Sequence, residues 1–373
     1  MRVLSVSALI DPASGGGTAE RTRQLARAMA RAGMDVRVLA TDAGLAANSK
    51  PDTGRAELSL LACRNERFLV PRSDGQVDRY VGEADVVHLC NHWTLLNLMV
   101  RRAARRLGKP YVLCPAGGLP LFGRSRLLKR AYNAFGGRAL VQGAAAWVAI
   151  TRRETADFAP YGIDPGRIDV IPNGIEPDDY ARGDAGAFRA RFSLAAGRIV
   201  LFVGRLNAIK GPDLLLEAFL ARRRALGGAQ LVFVGPDGGL RAALESRARA
   251  DGAGERVVFT GWLGGADKVA AYRAADLVVV PSRQEAMSLV ALEAGACGKP
   301  VLLTDRCGFD EAAASGGARL VPPDAQAIGE ALAVLMERAP LAQMGERLRH
   351  LVASEYTWDA AVKRYAALFE RVR

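Results

Sequence analysis

The stretch IVLFVGRLNAIKGPDLLLEAFLARRRA, residues 199–225, decides the fold. Its first five residues, 199–203, are a continuous apolar run, as in a strand covered on both faces. Gly204 closes the run and a loop with two cations follows. Pro212 then opens an apolar segment, 212–225, that reads as a helix. Further strands are expected at 230–234, 257–259, 277–280 and 301–304, with helices at 239–250, 267–274 and 289–297 between them. The same alternation fills the first half of the chain. Strands are expected at 3–10, 36–40, 86–89, 111–114 and 147–150, with helices at 18–32 and 95–107. Residues 11–17, DPASGGG, read as a loop.

Repeated strand–helix units predict α/β architecture with parallel sheets. The series breaks after the 168–171 run, where Pro172-Asn173-Gly174 signals a turn, and then restarts. Two Rossmann-like, doubly wound domains are therefore expected, residues 1–177 and 178–354, facing each other across a cleft with a hinge at 172–180. Residues 355–373 place Tyr356, Trp358, Tyr365, Leu368 and Phe369 at roughly helical spacing. They are expected to pack back on the first domain.

Composition narrows the class. Among 373 residues, 50% are apolar and 24% charged, which excludes wholesale disorder. The five cysteines form no CxxC pair, against a disulfide framework or a zinc site. The opening apolar run is too short for a secretory leader, and no uncharged stretch is long enough to span a bilayer, so a cytoplasmic protein is expected. Lys and Arg outnumber Asp and Glu by 51 to 39, a formal +12 that suggests an anionic partner.

Three sites carry chemistry. Gly15-Gly16-Gly17 follow a strand and lead into a helix, where backbone amides favour an anion. Arg205 and Lys210 sit past a strand end, and Arg and Lys bind phosphate oxygens. Glu285 and Glu293 lie eight residues apart, the first in the loop after the 277–280 strand and the second in the helix that follows. That spacing lets both face one ligand and accept hydrogen bonds from vicinal hydroxyls, with the Ser288 and Leu289 amides turned toward phosphate. The bland alternatives are a flexible glycine loop, solvated cations, and acids placed by the helix dipole.

In order along the chain, these pieces resemble glycosyltransferase family 4: retaining, nucleotide-sugar-dependent enzymes of the GT-B fold. Further matches are VIPNGI at 170–175, FTGWL at 259–263 and VPS at 280–282. The resemblance implies that Arg205 and Lys210 bind the donor diphosphate and stabilise the leaving nucleotide. It implies that Glu285 binds the transferred sugar and Glu293 the ribose, with Gly16 and Gly17 at the diphosphate. Trp262 and Leu263 would lie near the base, and Met287, Ser288 and Leu289 would complete the donor site. No Asp-x-Asp occurs, in keeping with a metal-independent reaction without cofactors. The family's Glu-Gly-x-Gly opening is here Glu285-Ala286-Met287-Ser288, a bulkier loop. Where many members carry a histidine after a strand of the first domain, this chain has Ala116, followed by Gly117 and Gly118. His88 and His92 come from the preceding strand end and are the acceptor-side candidates.

Residues 86–153 hold twelve Lys or Arg and no acid, and residues 1–177 carry +9 of the +12. The cations, Arg124, Arg126, Lys129 and Arg130 among them, interleave with Leu119, Leu121, Phe122, Leu127 and Leu128, the pattern of a segment on an anionic membrane surface. The expected reaction moves a sugar from a UDP- or GDP-sugar to a glycan or lipid-linked saccharide, in making cell-surface polysaccharide or glycolipid. A sugar-nucleotide epimerase and a non-catalytic sugar-nucleotide-binding protein are the alternatives. With only 6% aromatic residues and no recognition helix, no nucleic-acid partner is expected.

Overall fold

The computed structural model describes residues 1–46, 50–66, 68–73, 75–121 and 125–373. The sequence candidates Phe122 and Arg124 lie outside the described residues. The chain divides into one unit of Met1–Gly174 with Trp358–Arg373 and a second of Ile175–Thr357.

The first unit is built on seven parallel strands: β1 Arg2–Val6, β2 Asp35–Thr41, β3 Glu57–Leu61, β4 Val86–Cys90, β5 Tyr111–Cys114, β6 Ala146–Ala149 and β7 Ile168–Val170. Their order is β3-β2-β1-β4-β5-β6-β7. β4, β5 and β6 are buried at every position, as the apolar runs require when helices cover both faces. Leu4, Leu89, Leu113, Trp147 and Phe158 share one core. Trp147 satisfies its buried indole by donating to Val141 O at 2.7 Å.

Helix α1, Pro12–Arg31, corrects the expected 11–17 loop. The helical turn begins at Pro12, and Gly15 N donates to Asp11 O at 2.7 Å. The break falls on Gly16 alone, at φ 60 and ψ −144. Gly15 is there for close packing. A Cβ on it would come 2.7 Å from Ala19 Cβ and 3.1 Å from Leu9 Cβ.

The C-terminal helix, Trp358–Val372, belongs to this unit and buries Trp358, Tyr365 and Phe369. The Trp358 indole donates to Gln24 Oε1 of α1 at 2.5 Å.

The second unit holds β8 Ile199–Val203, β9 Gln230–Val234, β10 Val257–Gly261, β11 Leu277–Val280, β12 Val301–Thr304 and β13 Ala318–Val321. They are parallel, in the order β10-β9-β8-β11-β12-β13. The core gathers Phe202, Phe219, Phe233, Leu302 and Leu332. Helix α2, Pro212–Arg222, starts where the sequence placed it, on Gly211 in the left-handed region with proline in the first turn. Helix α3, Gly265–Ala274, and helix α4, Leu289–Ala296, follow β10 and β11.

Candidate active site

In the second unit the winding reverses between β8 and β11. The carboxyl ends of these two neighbouring strands mark the place where open α/β sheets bind ligands. Glycines fit the loops after β8 and β12 against the loop after β11. Gly211 has φ 68, and a Cβ on it would fall 2.1 Å from Pro281 O, so the β8 loop lies directly on the β11 loop. Gly308 has φ 61, and its Cβ would fall 1.9 Å from Ala286 O. The backbone joins the same pieces: Glu285 N donates to Arg306 O at 2.8 Å and Ser288 N to Cys307 O at 3.1 Å. Arg283 ties the two loops side to side. It donates to Ala208 O at 2.6 Å and makes a two-pronged pair with Asp213 at 2.9 and 2.6 Å.

These supports bring Lys210 and Glu285 together. Lys210 Nζ donates to Glu285 Oε1 at 2.5 Å, and Ser282 Oγ donates to the same oxygen at 2.7 Å. The Glu285 side chain is 8% exposed and that of Lys210 34%, so the acid sits inside and the ammonium at the rim. Arg205 shares the β8 loop with Lys210 and is half-buried. A Cβ on Gly238 would come 2.8 Å from the Arg205 Cγ, so glycine there makes room for the arginine.

Glu293 has partners of its own. It is buried on α4, where Oε1 accepts from Tyr180 Oη at 3.0 Å and Lys268 Nζ at 2.8 Å, and Oε2 from Tyr272 Oη at 2.5 Å. The two acids therefore have separate side-chain partners. Burial and the adjacent carboxylate hold the Tyr272 phenol well above its usual range. Ser288 caps α4, its Oγ accepting from Ala291 N at 3.3 Å. Its own amide is committed to Cys307 O, which corrects the expectation that it faces phosphate. Met287 is buried and Leu289 half-buried beside it. Trp262, after β10, is 59% exposed while Leu263 is buried.

In the first unit, His88 is corrected to a core residue. It is fully buried in β4, and its ring packs against Tyr365 and Phe369 at 5.1 and 5.9 Å. Burial and the nearby Arg21 charge push its pKa down to about 3, so it stays neutral. His92, after β4, is also buried, amid Trp93, Tyr132 and Tyr161. Its Nε2 bonds Asn133 Oδ1 at 3.1 Å, and burial lowers its pKa to about 4. Its Nδ1 is buried without a hydrogen-bond partner among the described residues. Gly16 breaks α1 with nothing within 4 Å of a Cβ, and Gly17 is already helical. Gly117 and Gly118 form a turn after β5.

Two buried charges here escaped the sequence reading. Arg21 donates to Asn173 Oδ1 at 2.7 Å, Tyr365 Oη at 2.9 Å and Cys114 Sγ at 3.1 Å. Glu154 accepts from Gly117 N at 2.5 Å and Ile150 N at 2.7 Å. The signal for Glu154 was its place as the first acid after a long acid-free run. Burial raises its pKa to about 7 against the lowering effect of the two amides and Arg21. The native state thus holds a proton that the unfolded chain has released above its ordinary pKa of 4.5. That contribution to stability is complete below about pH 4.5 and is lost as pH rises through about 7, on the order of 3 kcal/mol in all. Urea midpoints of wild type and E154Q across this window are expected to show wild type losing ground steadily. Parallel curves would refute the shift.

Two family descriptions match this chain: "Glycosyl transferase 4-like domain" over residues 16–174 and "Glycosyl transferases group 1" over residues 188–350. Among curated relatives, a D-inositol 3-phosphate glycosyltransferase of Gordonia bronchialis is 36% identical over 240 residues, 60% of this chain and 52% of the relative. The Nocardia farcinica protein of the same name is 40% identical over 226 residues, 57% and 49% of the two chains. The chain thus spans about half the length of the curated relatives it matches. Among solved structures, Anabaena HepE in complex with UDP and glucose aligns over 100% of both chains, with a TM-score of 0.80 at 20% identity. Sucrose-phosphate synthase from Thermosynechococcus elongatus aligns over 100% of this chain and 98% of its own, with a TM-score of 0.79 at 22% identity. These two likenesses establish the fold.

Proposed function

The chain belongs to the group 1 and 4-like glycosyl transferases, and from that premise we propose that it moves a sugar, with retention, from a UDP- or GDP-sugar to a glycan or lipid-linked saccharide. The observation that carries the reading is the Lys210–Glu285 pair at the switch point of the second unit. A diphosphate leaving group gathers negative charge as the glycosidic bond breaks. Cations already in place stabilise that charge without reorganising. Lys210 at the rim and Arg205 on the same loop supply them. Lys210 is paired with Glu285. The incoming diphosphate competes for the ammonium, and the carboxylate then accepts from sugar hydroxyls. Ser282 keeps Glu285 in place during the exchange. The Glu293 cluster offers acceptor and donor groups to a ribose once Lys268 or Tyr180 yields. The indole of Trp262 offers a flat surface for a base. No metal or other cofactor is needed in this scheme.

The names of the relatives favour a second acceptor class, a phosphorylated polyol such as D-inositol 3-phosphate. The HepE complexes with UDP and UDP-glucose favour a uridine donor. The test incubates the full chain with UDP-glucose, UDP-N-acetylglucosamine or GDP-mannose, each with D-inositol 3-phosphate or a polyprenyl-diphosphate-linked sugar. NMR then reads the anomeric configuration of the product. An α-linked product is expected. An epimerised donor would support the epimerase alternative, and binding without turnover the non-catalytic one.

Surface character supports an anionic membrane as the place of work, with the chain peripheral on its cytoplasmic side. No helix among the described residues is long and apolar enough to cross a membrane. Leu127, Leu128 and Phe135 are 77%, 59% and 80% exposed, on a segment that also carries Arg126 and Arg130. Exposed leucines beside cations suit the boundary between lipid headgroups and acyl chains. The triple variant L127S/L128S/F135S is expected to lose flotation with vesicles of phosphatidylglycerol while keeping its melting temperature. Equal flotation of both proteins, or none by wild type, would dismiss the surface.

A further inference from the structure

Beyond β6 the chain turns through a 3-10 segment, Arg153–Tyr161, which brings Glu154 back under the end of β5. There the carboxylate, 4% exposed, bridges two strand ends. It accepts from Ile150 N just past β6 and from Gly117 N just past β5. Gly117 belongs to a turn that needs holding. Ala116 has φ 49 and Gly117 φ 80, two left-handed residues in succession, and the first carries a side chain. Such a conformation is strained at alanine and persists only where the surroundings over-determine it. Gly118 N closes the turn on Pro115 O at 3.0 Å, and a Cβ on Gly118 would come 2.9 Å from that oxygen. The neighbouring strand end also turns left-handed, at a residue type that accepts it. Asn91 has φ 64 and donates its amide to Cys114 O at 2.9 Å. Two left-handed, non-glycine residues thus cap adjacent strands, β4 and β5, at the carboxyl edge of the first sheet, where an open α/β sheet takes its ligand.

We propose that Glu154 is a positioning residue for the acceptor: its carboxylate fixes the Ala116–Gly118 turn, and the turn's backbone meets the hydroxyl-bearing substrate. The inference rests on the transfer reading, with the donor assigned to the second unit. Glu154 does not touch the acceptor; it acts through Gly117. An ionised carboxylate accepts well on both oxygens, whereas the neutral acid has one good acceptor and cannot hold both amides equally. The charged and titratable groups around it are Arg21 from α1, Cys114 from β5 and Asp157 from its own 3-10 segment. Protonation therefore loosens the turn from within, and acceptor binding weakens as pH falls below neutrality.

The experiment compares full-length wild type, E154Q and E154D. Glutamine keeps the shape but has one acceptor oxygen; aspartate keeps the charge with a shorter reach. Amide exchange at Gly117 is followed from pH 6 to 8.5, together with the KM for each substrate, using UDP-glucose as donor and D-inositol 3-phosphate as acceptor probe. In E154Q, Gly117 exchange is expected to quicken about tenfold or more, the acceptor KM to rise about tenfold and the donor KM to stay unchanged. The wild-type acceptor KM falls as pH rises through 7, that dependence vanishes in E154Q, and E154D restores part of it. Unchanged Gly117 exchange in a folded E154Q would overturn the proposal. So would faster exchange with both KM values shifting alike, the mark of a merely structural role. A wild type that uses no probe acceptor would contradict the transfer reading with these substrates. Glu154 would then be judged on exchange alone.

Discussion

Lys210→Met is expected to lower donor turnover by about 10²- to 10³-fold, the usual loss on removing one preorganised charge-stabilising group. The site explains why the effect falls on kcat. Lys210 hangs at the rim of a loop pinned by Gly211 against Pro281 O and by Arg283 against Ala208 O. Its ammonium is thus placed before substrate arrives. The substitution also strands Glu285, whose side chain is 8% exposed and loses its ion-pair partner. Ser282 remains as its donor, and the lysine is open enough to solvent that screening blunts the loss. A drop in stability of about 1–2 kcal/mol is expected, small enough to leave the fold populated. Turnover with saturating donor and a melting curve separate the two effects. Full turnover in a protein with a normal melt would contradict the assignment.

Gly308→Ala is expected to damage both stability and activity although residue 308 carries no chemistry. The added Cβ would need the space of Ala286 O, 1.9 Å away, at a backbone φ of 61 that alanine resists. Either the 285–288 segment moves or the 306–308 segment does. In both cases the bonds from Glu285 N to Arg306 O and from Ser288 N to Cys307 O are strained together. The cost is roughly 3 kcal/mol or more, from overpacking and the left-handed backbone combined. The Glu285 carboxylate leaves its position beside Lys210 and Ser282. Loss of at least about a hundredfold in donor turnover is expected, in line with the cost of small misplacements in a preorganised site. Unaltered turnover and melting would show that the close approach is not needed.

What could be read in the sequence follows from what local patterns encode. Apolar runs such as 199–203 and 277–280 become strands because they are buried on both faces of a sheet covered by helices, and the alternation with helices marks the sheets as parallel. Lys210 and Glu285 were visible because charged residues past apolar strand ends have few structural reasons to be there. The triple glycine misled because glycine serves packing as well as flexibility: Gly15 is needed for Ala19 and Leu9, and only Gly16 leaves the helix. Helix periodicity placed Glu293 on a face but could not show that Tyr180, 113 residues away in the chain, would supply a donor. His88 looked like a site residue because histidine is rare here, yet strand alternation turns it toward Tyr365 and Phe369. Gly308 and Arg283 were invisible because their roles are close approaches between loops distant in sequence.

The Lys210–Glu285 site is proposed to take a nucleotide-diphosphate sugar apart. The most direct measurement is release of nucleoside diphosphate by wild type and E285Q, with UDP-glucose and GDP-mannose each supplied with the acceptor panel. Wild type is expected to release it from one of the donors, and a folded E285Q to release little or none. Equal release by the two proteins, or none from either donor, would contradict that role.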